Sequence, residues 1–168
     1  MDKATFIARY GGVYEHSPWV AEEAYERARR VTDPARLAEI MAACVDAADE
    51  ATKLALIRAH PDLADRAAVG GLTTASGEEQ ASAGLDQCTP GEYARFGALN
   101  REYKAKFGFP FVMAVRGRHR REILAAFEQR LGNDRETELA TAIREIHAIA
   151  RLRLEAMEPP TAVDRRLV

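Results

Sequence analysis

The chain has 168 residues, enough for one hydrophobic core and short for two domains. Its 47% hydrophobic and 30% charged residues are those of a soluble globular protein, and a net charge of -2 excludes a general attraction to nucleic acid or to an anionic membrane. No charged-then-apolar leader opens it and no apolar run approaches membrane length, so a cytoplasmic protein is expected.

Helical periodicity runs almost throughout. Residues 1 to 10 form a short segment ended by Gly11-Gly12. Ser17-Pro18 reads as a cap and first-turn proline for a helix through Trp19 and Tyr25 toward Val31. Asp33-Pro34 repeats the device before Leu37, Ile40, Met41, Cys44 and Val45. A helix is expected from about Glu50 to His60, another from Ser76 to about Gln87, and a third opened by Thr89-Pro90 and closed at Gly108. Two more follow, near 120 to 131 and 134 to 157, separated by Gly132-Asn133. The expectation is an all-α, single-domain bundle of about seven to eight helices, with its core over about 6–157 and an extended tail over 158–168 after Pro159-Pro160.

Phe109 to Val115 breaks the pattern. The segment is continuously apolar, carries Pro110 and is bounded by Gly108 and Gly117, so it should be a buried irregular piece. It either fills the core or lines a pocket with backbone groups that no sheet pairs.

His60-Pro61-Asp62, with Ser76-Gly77-Glu78-Glu79-Gln80 after a loop, concentrates an imidazole, carboxylates, a hydroxyl and an amide at helix boundaries. Proline disfavours the α region for the residue before it, so His60 should close its helix with the ring projecting past the last turn. If the intervening loop folds back, these groups supply a proton carrier, an electrostatic partner and neutral donors. The competing structural reading makes Ser76 and Glu79 a capping box and His60 a cation at a helix C-terminus.

Arg153 falls on the stripe 139, 143, 146, 150, 153 and 157 of the last helix, a face otherwise directed inward. It is either the partner of an internal glutamate or snorkelling to the rim, or else an anion receptor, since its planar fork matches a carboxylate. Cys44 and Cys88 fit no metal or redox spacing, and His16, His60, His119 and His147 form no zinc pattern, so neither metal nor cofactor is expected. The basic run Arg116 to Arg121 is either a solvated surface or a phosphate or nucleic-acid contact.

Taken in order, Gly11-Gly12-Val13-Tyr14-Glu15-His16-Ser17-Pro18-Trp19, His60 to Ala64, Ser76 to Gln80 with Ala83-Gly84-Leu85, and Leu99-Asn100 through Tyr103 to Lys106-Phe107-Gly108-Phe109-Pro110-Phe111-Val112 resemble the OHCU decarboxylases. That family acts on 2-oxo-4-hydroxy-4-carboxy-5-ureidoimidazoline in urate breakdown. The resemblance covers about residues 6 to 157, including Leu152-Arg153-Leu154. It implies an all-α, cofactor-free enzyme, usually a homodimer, that forms (S)-allantoin. It further implies His60 as the catalytic histidine and Glu79 as its acidic partner. Pro61, Ser76, Gly77, Glu78 and Gln80 would line the substrate site, the backbone of Phe111, Val112, Met113, Ala114 and Val115 would hold ring amide edges, and Arg153 would take the substrate carboxylate. The stretch after Val115 matches no family motif, and Arg166-Leu167-Val168 is not a peroxisomal signal of the Ser-Lys-Leu type. The alternative is a non-catalytic helical module that binds a small anion in the same pocket, and a third reading is a nucleic-acid-binding helical domain.

Overall fold

The computed structural model describes residues 1–65, 72–157 and 159. Among the described residues there are eight helices and no strand, as the periodicity requires. They are α1 (Lys3–Tyr10), α2 (Trp19–Ala28), α3 (Pro34–Asp46), α4 (Glu50–Arg58), α5 (Thr74–Ser82), α6 (Pro90–Phe107), α7 (Arg120–Leu131) and α8 (Arg135–Ala156). The tail expected over 158–168 lies, apart from Pro159, outside the described residues, as does part of the loop joining α4 to α5.

Local chemistry explains most helix limits. Asp33 accepts from the Arg36 amide ahead of Pro34, and Asp49 does the same for Thr52 at the start of α4. Thr89 and Glu92 exchange a reciprocal pair of hydrogen bonds at the start of α6, with Pro90 in the first turn. Gly108 closes that helix in the left-handed region (φ 79°), a conformation that costs glycine nothing.

Two caps differ from expectation. Ser17 does not cap α2, because its hydroxyl donates to the Glu15 carbonyl inside the preceding turn, where His16 adopts a positive φ of 47°. Ser76 does not open α5 either. Thr73, with extended backbone, accepts from the Ser76 amide, which makes Ser76 the third residue of a helix that begins at Thr74 and ends at Ser82.

Packing divides the chain into two units, residues 1–59 with 146 onward, and residues 60–145. In the first, α2 packs on α1 and α3 through Val20, Ala21, Ala24 and Ala28, small residues that let helices approach closely. Phe6, Tyr10 and Tyr25 cluster at the α1 end. The second unit is built around aromatic rings. Tyr103 of α6 makes edge contacts with Phe109, Phe111 and Phe127, and Phe111 stacks on Phe127 with centroids 3.9 Å apart. The segment 109–115 is thus buried and irregular, as its composition requires, and contributes its rings to this core.

Candidate active site

His60 lies two residues beyond the end of α4, in a bend, and its side chain is buried. The residues that follow are gripped from two helices. Gln80 of α5 accepts from the Ala64 amide (3.1 Å) and donates to the Asp62 carbonyl (3.3 Å). From α6, Asn100 donates to the Leu63 carbonyl (3.0 Å), and Lys104, one turn further on, reaches the Asp62 carboxylate (2.6 Å). Ala64 itself sits at φ 53°, a conformation that costs a residue with a Cβ about 1–2 kcal/mol and persists only where the surroundings enforce it.

This grip brings the His60 loop beside α5. Ser76 and Gln80, one turn apart, are both buried, while Glu79 is half-buried and Glu78 is exposed. With Thr73 as the cap, Ser76 and Glu79 are not a capping box, and the structural explanation for that pair lapses. Gly77 and Gln80 line a cleft of about 420 Å³ together with Ala64, Leu72, Leu85 and Tyr93. A second cleft of about 410 Å³ is lined by Asp62, Ala64, Tyr93, Gly97, Asn100 and Lys104.

In the 109–115 segment, side chains take up part of the backbone. Glu145 accepts from the Ala114 amide (2.9 Å), and Arg130 donates to the Val112 carbonyl (2.8 Å) while its guanidinium lies 4.2 Å from the Phe111 ring centroid. Both are answers to the absence of a sheet partner among the described residues.

Arg130 also belongs to a charge cluster that sequence reasoning missed. Glu138 of α8 is wholly buried and receives bonds from Arg130 (2.8 Å), Asn133 (2.9 Å) and the Tyr103 hydroxyl. Burial alone would raise the Glu138 carboxyl, but donors from Arg130, Tyr103 and Asn133 outweigh it and hold the group below the ordinary glutamate range. The Tyr103 phenol is driven far upward, first by burial and then by this carboxylate. The signal was available: Glu138 stands on the i, i+4, i+8 row with Ala142 and Ile146, both buried, so it belongs on the buried face.

In the other unit, Arg153 is buried and donates to Glu15 (2.9 Å) and to the Val13 carbonyl (3.3 Å). The internal ion pair expected for an inward arginine is therefore present. Nearby in sequence, the buried Tyr14 hydroxyl meets His147 Nδ1 (2.9 Å), whose Nε2 meets Asp46 (3.0 Å). Burial, then the charges of Asp46 and Cys44, push the Tyr14 phenol well above its usual value. The basic run is partly spent on structure, with His119 accepting from the Arg121 amide at the start of α7 and Arg120 pairing with Glu92. Both cysteines are buried, and among the described residues neither forms a disulfide. Among the described residues no cluster of three or more His, Cys, Asp and Glu side chains is arranged to hold a metal, and no helix is long and apolar enough to cross a membrane.

The described residues form an all-helical protein with two clefts lined by the residues that follow His60 and by α5 and α6. The model of the family described as OHCU decarboxylase matches residues 1–155. A 2-oxo-4-hydroxy-4-carboxy-5-ureidoimidazoline decarboxylase from Haloferax volcanii is 44% identical over 154 residues, which are 92% of this chain and 89% of that protein. The crystal structure of an (S)-allantoin synthase superposes with a TM-score of 0.74 at 32% identity, over 93% of this chain and 50% of that one, so this chain spans about half its length. An OHCU decarboxylase crystallised in the presence of (S)-allantoin shares the fold, with a TM-score of 0.66 at 20% identity over 92% of this chain and 96% of that one. The chain belongs to the OHCU decarboxylase family.

Proposed function

We propose that this protein decarboxylates 2-oxo-4-hydroxy-4-carboxy-5-ureidoimidazoline to (S)-allantoin, with His60 as acid/base and Glu79 as its partner. The observation that carries the reading is the pair of hydrogen bonds that Gln80 makes, accepting from the Ala64 amide and donating to the Asp62 carbonyl, which joins the loop bearing His60 to the helix bearing Ser76 and Glu79. Family membership supplies the substrate.

The chemistry asks little of the protein beyond placement and protons. Loss of carbon dioxide from C4 leaves an electron pair that becomes a C4=C5 bond while the C5=N π pair moves onto nitrogen, which takes up a proton, so the substrate provides its own electron sink. The resulting enol becomes allantoin when the C4 hydroxyl gives up its proton and C5 receives one on a single face. His60 handles the hydroxyl proton, and Glu79 orients and polarises the imidazole. Ser76, Gln80, Pro61, Gly77, Glu78 and the backbone from Phe111 to Val115 form the remaining binding surface, on the strength of the motif match. Arg153 is assigned to the substrate carboxylate on the same ground, and Glu15 would then hold its fork in place. A cytoplasmic homodimer is the arrangement that the resemblance supports, and sedimentation of the purified chain tests the dimer.

Freshly generated substrate, followed by circular dichroism, is the decisive assay. Optically active product should appear faster than in buffer alone. Binding of substrate without any gain over the spontaneous rate would instead make the chain a small-anion-binding module.

A further inference from the structure

Asn100 is out of place on α6. Its neighbours on the inward stripe are Phe96, Leu99, Tyr103 and Phe107, all apolar or aromatic and all buried. An asparagine is a poor helix former, and this one buries its carbonyl oxygen with no hydrogen-bond partner while lining the cleft beside Asp62 and Lys104. A leucine would pack better. What the amide does instead is donate to the carbonyl of Leu63.

That bond lies three residues from His60, and the intervening chain is stiff. Proline at 61 locks its own φ and disfavours the α region for His60. Beyond it, Asp62 is held through both its carbonyl and its carboxylate, and Ala64 is held in a left-handed conformation by Gln80. Few rotations remain between the imidazole and the carbonyl that Asn100 grasps, so a shift at Leu63 is passed on to the ring.

We propose that Asn100 is a positioning residue for the reaction, setting through Leu63 where the His60 imidazole meets the substrate. The inference rests on the decarboxylase reading above. It predicts that catalysis is more sensitive to Asn100 than folding is. Asn100→Leu strands the Leu63 carbonyl but also removes the orphaned Asn100 oxygen and adds apolar packing, so its melting temperature should fall only slightly. Its kcat per folded molecule should fall about 10-fold to 100-fold, the scale of a small misplacement of a reacting group, with KM within about two-fold. The pH dependence of kcat should shift as well, because a displaced imidazole titrates in changed surroundings.

A well-folded Asn100→Leu with wild-type kcat and pH profile overturns the proposal. Should that variant fail to fold, Asn100→Ser carries the same measurements, because its short hydroxyl falls short of the Leu63 carbonyl without crowding the core. Loss of folding in both would also overturn it, by showing that the residue is needed for structure first. Wild-type protein without turnover would remove the decarboxylase reading, whereas active wild type beside unaffected variants would remove only the role of Asn100.

Discussion

Two parts of the residue 60–145 unit use buried polar groups in opposite ways. Around Glu138, side chains chiefly bind one another: one carboxylate collects a guanidinium, an amide and a phenol, with Arg130 reaching on to the Val112 carbonyl. Around His60, side chains bind backbone: Gln80 and Asn100 spend their amides on the peptide groups of residues 62–64. The first arrangement is a rivet. The second fixes a path for the chain, and with it the position of the residue that begins the path, which is what a preorganised catalytic group requires.

Substitutions can break that contrast. The largest effect is expected at His60, where His60→Asn should lower turnover by about 10²-fold to 10⁴-fold while leaving the far-ultraviolet dichroism unchanged. Near-normal activity would place the proton transfers elsewhere. Glu138→Ala should do the reverse, costing about 3–5 kcal/mol in urea unfolding because it strands Arg130 in the core, while kcat of the molecules that remain folded is little changed.

Acid sharpens the same point. A carboxyl held below its ordinary value in the folded state contributes stability that is complete above that value and is lost as pH falls through the folded one. Unfolding free energy should therefore decline below about pH 4, near the ordinary glutamate range, and Glu138→Gln should be less stable at neutrality but flatter across that interval. An equally steep decline in the variant would assign the acid sensitivity to other carboxylates.

Arg153 tests whether a buried ion pair can serve both purposes. Arg153→Lys loses the two-pronged geometry, and as a carboxylate receptor it should raise KM about 10-fold, a difference of about 1.4 kcal/mol, with a smaller effect on kcat. Unchanged KM with a lower melting temperature would make it another rivet, paired with Glu15 for stability alone. The smallest effect is expected at Ala64. Ala64→Gly relieves the positive φ but frees the unfolded chain, so stability should move by less than about 1 kcal/mol, whereas the branched Ala64→Val should be clearly destabilised in the same melts.

How much of this was legible beforehand follows the range of the interactions. Asp33-Pro34, Thr89-Pro90 and Gly108 act within one turn, and the helices they limit lie where those residues indicate. Ser76 misled because its spacing to Glu79 imitates a cap, while the working cap, Thr73, stands three residues earlier. The hydrogen bonds of Gln80 and Asn100 span 16 to 37 residues. No local spacing rule encodes them: Asn100 appeared in the sequence only as a member of a family motif, and Gln80 as an amide near His60 with no backbone partner indicated. Glu138 is different, since helical periodicity alone puts it on the inward face.

One consequence concerns the unit that holds residues 1–59. The Asp46 carboxylate accepts a hydrogen bond from Nε2 of His147, and Nδ1 of the neutral ring is then left to accept from the Tyr14 hydroxyl. The ring is thereby committed to a single tautomer, with its hydrogen on Nε2. The phenolic hydrogen of Tyr14, shielded from solvent and bound to nitrogen, should exchange slowly enough to appear as a discrete downfield proton resonance, a spectroscopic mark of this corner of the molecule.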